Sequence, residues 1–235
     1  MTKLEKVLVD ILMSDEFLDV MRRIDEPAPK GAKISPSFNS LHGITHAKHV
    51  ANYAVDFLRE MKASQHEIQL AKITALLHDV AIVGFNKEKH AERGAKIARE
   101  WLTKYNMNAS DIDIIYHAIL SHSNGKEINN LVDAAILLGD KMDITGDRLN
   151  LSRQIRDIDA LTKSLLMINK VEFIVDENLA RLRWDVEPGY DIKLFAGWPK
   201  AVTVPAKVAK YLERDFVFEF DGKELTEQEF LELIK

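Results

Sequence analysis

The chain has 235 residues, 46% of them hydrophobic and 29% charged, a balance that suits a packed globular protein and excludes a disordered one. Thirty-two Lys and Arg against thirty-seven Asp and Glu leave a net charge of −5, which excludes a broad basic footprint for nucleic acid or anionic membrane. Cysteine is absent, so a metal would have to be held by His, Asp or Glu, and eight histidines are present.

The N-terminal stretch MTKLEKVLVDILMSDE is acidic throughout and lacks the apolar region of a signal peptide, and no apolar run approaches the ~20 residues that span a bilayer. A soluble cytoplasmic protein is expected. Apolar residues at helical spacing fill Leu4 to Ile24, after which Pro27, Pro29, Gly31 and Pro36 predict a loop leading to His42. A helix from Thr45 to about Met61 carries Val50, Ala54, Phe57, Leu58 and Met61 on one stripe, and Ser64 with Glu67 forms a capping box for the next. That next helix, Ile68 to Val80, is apolar on nearly every side and ends in His78-Asp79, which places it in the middle of a core. Further helices are expected at about 88–104, 111–122 and 130–144, the second opened by Ser110 with Asp113.

After about Leu166 the pattern changes. The segment VEFIVDENLARLRWDV alternates as strand, tight turn and strand; a helix follows at about 199–213 with Pro205 as its weak point; and DFVFEFDGKEL reads as a strand turning at Asp221-Gly222. This region has 10 basic and 14 acidic residues, so it offers no basic face for nucleic acid. The chain therefore reads as mainly α: an all-helical domain over 1–165, with its core at about 40–150, and a small α+β appendage over 166–235.

Asp79 ends an apolar helix, and Asp140 ends another, after Leu131, Val132 and the run Ala134 to Leu138. A buried carboxylate costs several kcal/mol unless a cation or a donor network offsets it. Histidines on the same helices supply partners. At about 100° per residue His46 falls within roughly 40° of Val50 and faces inward, while His49 lies about 60° to the other side of His46 and is expected to point outward. On the helix at 111–122 the stripe of Ile112, Ile115, Ala118 and Ile119 takes His122 near its centre, with His117 about 140° away. His90 sits at the edge of the stripe of Gly94, Ala98 and Trp101, where the small Gly94 permits close helix approach. Imidazoles and carboxylates without sulfur suit iron, manganese, zinc or nickel. Four inward histidines and two aspartates are too many for one catalytic ion with open positions, and suit two ions sharing a carboxylate.

The ordered set of His46, then His78-Asp79 after ALL, then Asp140 in LLGDKMD resembles the signature of the HD-domain metal-dependent phosphohydrolase superfamily over about residues 40–150. HAERGAKIA at 90–98 and AILSHSNG at 118–125 are similar to segments of the bacterial HD-type diadenosine tetraphosphate hydrolases, with Ser123 where that group has Thr. The resemblance implies an HD-domain helical bundle and two divalent ions, iron or manganese. His46, His78, Asp79 and Asp140 would hold one, and His90 and His122 the other, with Asp79 bridging. It further implies a hydroxide between the ions that attacks a phosphate ester or anhydride of a nucleotide-like substrate. Alternatives within reach of the same ligands are a mixed-valent di-iron oxygenase and a non-catalytic nucleotide-binding regulator. Asp79, Arg148 and Lys141 are the expected catalytic residues; Arg148 is favoured for phosphate because guanidinium grips two oxygens at once. His42 and His117 are further candidates for the leaving-group proton, and Lys87 and Lys89 for guarding the entrance. The expected partner is a small phosphorylated molecule, with no nucleic acid and no membrane, and a homodimer is left open.

Overall fold

The computed structural model describes residues 1–24, 26, 42–83, 88–123, 125, 127–148 and 160–235, and the chain divides into two compact units, Met1–Asp140 and Lys141–Lys235. The division precedes the change of pattern near 166 because the segment after Asp140 packs with the appendage. The protein is mainly α with a small C-terminal sheet. The expected loop from Pro27 to Pro36, and Lys87, lie outside the described residues.

The N-terminal unit opens with α1 (Lys3–Leu12) and α2 (Asp15–Ile24), where the apolar spacing alone predicts a continuous helical segment. The break comes from Ser14, whose Oγ accepts from the Phe17 amide at 3.2 Å, and from Asp15 and Glu16, which favour the start of a new helix. Next come α3 (Ile44–Glu60) and α4 (Gln65–Leu77), with the expected Ser64–Glu67 capping box in place. From Ile68 to Leu77 every residue of α4 but Lys72 is buried, and α1, α3 and α6 pack against it. The unit continues with α5 (His90–Lys104) and α6 (Ala109–Ser121), which pack on each other. Helix α6 starts before the expected Ser110 cap: Asn108 is its N-cap and makes no side-chain capping bond. Helix α7 (Leu131–Met142) carries Asp140.

Two glycines set how closely these helices approach. A Cβ on Gly139 would stand 2.8 Å from the Val50 carbonyl oxygen, so α7 meets α3 at the turn after His46 only because residue 139 has no side chain. A Cβ on Gly94 would lie 3.2 Å from the His78 carbonyl, which brings α5 close to the end of α4. Gly139→Ala is expected to cost about 1–3 kcal/mol in denaturant unfolding, since the Val50 backbone facing the added methyl cannot yield as a flexible side chain can. An unchanged midpoint would show that the contact relaxes freely.

In the C-terminal unit α8 (Ala160–Leu166) precedes β1 (Ile168–Val175), β2 (Leu179–Val186), α9 (Lys200–Tyr211), β3 (Asp215–Phe220), β4 (Lys223–Leu225) and α10 (Glu227–Leu233). The sheet order is β1-β2-β3-β4; β2 and β3 run parallel, joined through α9, and the outer pairs are antiparallel. Asp221 and Gly222, at φ of 49° and 71°, make the tight turn between β3 and β4. Helix α9 continues through Pro205, which lies in its second turn with its ring buried. Helix α10 has the same sequence signal as α4, a capping box of Thr226 and Glu229. Among the described residues no helix is long and apolar enough to cross a membrane.

Candidate metal centre

The N-terminal unit brings together His42, His46, His78, Asp79, His90, His122 and Asp140. His46 comes from the first turn of α3, His78-Asp79 from the end of α4, His90 from the first residue of α5, His122 from the C-cap of α6 and Asp140 from α7. His46 and His78 have no exposed surface, and His122, Asp79 and Asp140 are 2%, 4% and 6% exposed.

Asp79 is central, and its two oxygens face different sets of histidines. Oδ2 is 2.8 Å from His42 Nδ1, 3.3 Å from His78 Nε2 and 3.7 Å from His46 Nε2. Oδ1 is 3.4 Å from His122 Nε2 and 3.8 Å from His90 Nε2. Beyond the first set, His46 Nε2 is 3.3 Å from Asp140 Oδ1. His78 and His46 bring their Nε2 atoms within 3.2 Å, and His90 and His122 within 3.1 Å.

The tautomers follow from the partners. His78 Nδ1–H donates to the Ala75 carbonyl at 2.7 Å and His122 Nδ1–H to the Ile119 carbonyl at 2.6 Å, so the neutral forms of both rings turn a bare Nε2 lone pair into the cluster. Two lone pairs at 3.1–3.2 Å repel unless a cation or a proton lies between them. Donors about 2.1 Å from a shared ion sit about 3.0–3.4 Å apart, close to the spacing found here. The donor set thus fits divalent metal, and the backbone carbonyls behind His78 and His122 fix ring orientation as outer partners of metal-bound histidines do. Three overlapping triads have ligand atoms within 4.8 Å of one another: His42, His46 and Asp79; His46, His78 and Asp140; and His78, Asp79 and His122.

The electrostatics agree. Burial is the strongest single influence on Asp79 and pushes its carboxyl up, but in the metal-free protein the charges of protonated His78 and His42, and hydrogen bonds from His42 and from His122 when its Nε2 carries a proton, outweigh it and hold Asp79 well below the usual range. Burial likewise pulls His78 down, and Asp79, Asp140 and the Ala75 carbonyl together raise it. The negative potential that draws a proton to His78 also draws a metal cation.

His42 belongs to this cluster although periodicity gave no reason to choose it: it is 9% exposed and precedes α3. Its spacing to His46, H-x-x-x-H, is the signal that could have found it. His49 is half-buried, not outward. Lys89 is exposed, at φ 50°, just before His90. His117 is engaged elsewhere: its Nδ1–H donates to Asp133 Oδ2 at 2.8 Å and its Nε2 accepts from Asn129 Nδ2 at 2.9 Å. Arg148 and Lys141 lie in the C-terminal unit, where both are buried. Arg148, chosen from the sequence as a phosphate grip, is 0% exposed; it donates to the Asp143 carbonyl at 2.7 Å, and its guanidinium lies 5.1 Å from the centre of the Trp198 ring. There the guanidinium braces the turn after α7.

Burial, the largest influence, raises Asp133 even against its bonds from the Asn129 amide and His117. A raised acid contributes stability that is full below its unfolded pKa, about 4, and is lost as pH rises through the folded value. The melting temperature of the wild type relative to Asp133→Asn is therefore expected to fall as pH rises from about 4. A constant difference across pH would mean that Asp133 does not titrate differently on folding.

Comparison with protein families matches residues 43–164 to the HD domain. The chain belongs to the HD-domain family. The HD match contains His46, His78, Asp79, His90, His122 and Asp140, starts one residue after His42, and stops before the sheet. Among solved structures, a predicted HD superfamily hydrolase from an uncultured Thermotogales bacterium is 26% identical, covering 59% of this chain and 75% of that one, with a TM-score of 0.41. None of the curated proteins matches the chain. Membership in the HD-domain family and the buried His/Asp cluster support a metal-dependent hydrolase.

Proposed function

We propose that this HD-domain protein is a phosphohydrolase that uses two divalent ions, iron or manganese, to cleave a phosphate ester or anhydride of a nucleotide-like substrate. The observation that carries the reading is the two-sided placement of Asp79, with Oδ2 towards His46 and His78 and Oδ1 towards His90 and His122. A carboxylate so placed is suited to bridge two cations, one completed by Asp140 and the other by the His90–His122 pair. When bound, the ions would supply a hydroxide nucleophile near neutral pH and neutralise charge growing on phosphoryl oxygens.

The chain's own residues do the positioning. His42 donates to Asp79 Oδ2 and fixes the plane of the carboxylate, and the Ala75 and Ile119 carbonyls fix His78 and His122. Burial of all but His90 keeps water from competing for the donors. The likeness of HAERGAKIA and AILSHSNG to the diadenosine tetraphosphate hydrolases favours a dinucleoside polyphosphate among nucleotide substrates. A hydrolysis screen over mononucleotides, cyclic nucleotides and dinucleoside polyphosphates, with iron or manganese added and the nucleotide products separated by chromatography, tests the reading. Metal-dependent cleavage of at least one class is expected. Oxygen consumption without hydrolysis of any of them would replace this reading with the oxygenase.

A further inference from the structure

His90 is the member of the metal centre that packing defends least. Its side chain is 15% exposed, against 2% for His122, and it stands in the first turn of α5. The entry to that turn is strained, since the N-cap Lys89 has φ 50°, which L side chains rarely adopt, and makes no side-chain capping bond. A helix start so made needs its surroundings to hold it. The half-buried Arg93, three residues after His90, supplies that hold twice. Its backbone N–H donates to the Lys89 carbonyl at 3.0 Å and closes the first turn. Its guanidinium Nη2 donates to the Ala81 carbonyl at 3.2 Å, in the turn that follows Asp79. That turn is itself closed on Asp79, whose carbonyl accepts from the Ile82 amide at 2.9 Å. A Cβ on the neighbouring Gly94 would lie 3.8 Å from the Ala81 Cβ, so helix and turn meet here at contact distance. The bonds running from Asp79 through Ala81 and Arg93 to Lys89 thus join the end of α4 to the start of α5. Across the same junction His90 Nε2 faces Asp79 Oδ1 at 3.8 Å.

We infer that Arg93 is a positioning residue for the His90–His122 side of the centre: its side-chain bond to Ala81 keeps His90 opposite Asp79 Oδ1, and its loss lowers affinity for that ion alone. A charged donor on a part-buried carbonyl makes a stronger bond than a neutral one, which suits a single contact that must hold a helix start. The other ion does not depend on it, because His46 and Asp140 come from α3 and α7 and the Ala75 carbonyl fixes His78. The inference rests on the two-ion reading of the centre.

Manganese titrated into the metal-free full-length protein, followed by calorimetry, should bind in two steps, one of which His122→Ala abolishes. Arg93→Met keeps most of the apolar stem and removes the donors. It should weaken that same step by about 10–100-fold and change the other by no more than about twofold. Arg93→Lys, whose ammonium can still donate to the Ala81 carbonyl, should recover most of the loss. In the metal-free protein, hydrogen exchange at the Arg93 and Gly94 amides should quicken about tenfold in Arg93→Met, with the amides of α6 unchanged. A single step in the wild type would overturn the two-ion reading and this inference with it. Two steps in the wild type that Arg93→Met leaves unchanged, or weakens equally, would overturn the inference alone. So would failure of Arg93→Lys to recover the loss, or unchanged exchange in the first turn of α5.

Discussion

Asp79→Asn is expected to lower substrate hydrolysis by at least ~10³-fold, about 4 kcal/mol of transition-state stabilisation, and to reduce metal content. The amide keeps the volume and hydrogen-bonding capacity of the side chain but removes the charge that faces histidines on both sides. Burial alone suggests that the amide would relieve the metal-free protein of a costly charge. The structure gives the opposite sign, because His42 donates to Oδ2 and the surrounding histidines hold Asp79 low. A depressed carboxyl contributes stability that is present above its unfolded pKa, about 4, and lost as pH falls through the folded value. The Asn variant in chelator should therefore melt below wild type at neutral pH, with the gap closing in acid. Near wild-type turnover by Asp79→Asn would make this residue structural and remove the two-ion mechanism.

His122→Ala and His117→Ala, about 140° apart in phase on α6, should separate cleanly. His122 Nε2 faces Asp79 Oδ1 and His90 Nε2, so its loss removes one donor of the His90–His122 pair, and with it one ion and most activity, about 10²-fold or more. His117→Ala should retain metal and turnover but cost about 1–3 kcal/mol of stability, because Asp133 is fully buried, one of its oxygens has no hydrogen-bond partner, and the other loses a donor. Metal analysis and chemical denaturation of the two variants distinguish these outcomes. The reverse assignment, with His117→Ala losing an ion, would mean that the side of α6 facing the centre has been misread.

The centre was legible in the sequence where regular helices carry it. The phase of α3 turns His46 inward, the phase of α6 separates His122 from His117, and the apolar lengths of α4 and α7 bury Asp79 and Asp140. His42 was not legible as part of it because it stands before the first turn of α3, where no period fixes its direction. The burial of Arg148 was not legible for a related reason. That residue belongs to a short 3-10 turn, Gly146–Arg148, whose burial beneath Trp198 depends on a residue fifty positions away in the chain. In the fold, the alternation of β1 and β2 and the Asp221-Gly222 turn gave the two hairpins, whereas the parallel pairing of β2 with β3 depends on the path through α9, which no local pattern encodes. The break between α1 and α2 shows one serine cap overriding an apolar spacing that runs on through it.

The central claim is that Asp79 lies between two cations in one chain, and metal stoichiometry tests it most directly. Protein purified anaerobically and saturated with iron or manganese should contain close to two ions per chain by elemental analysis, and His90→Ala or His122→Ala should reduce this to one. A ceiling of one ion per chain under saturating metal would contradict the account, leaving His90 and His122 without the role assigned to them.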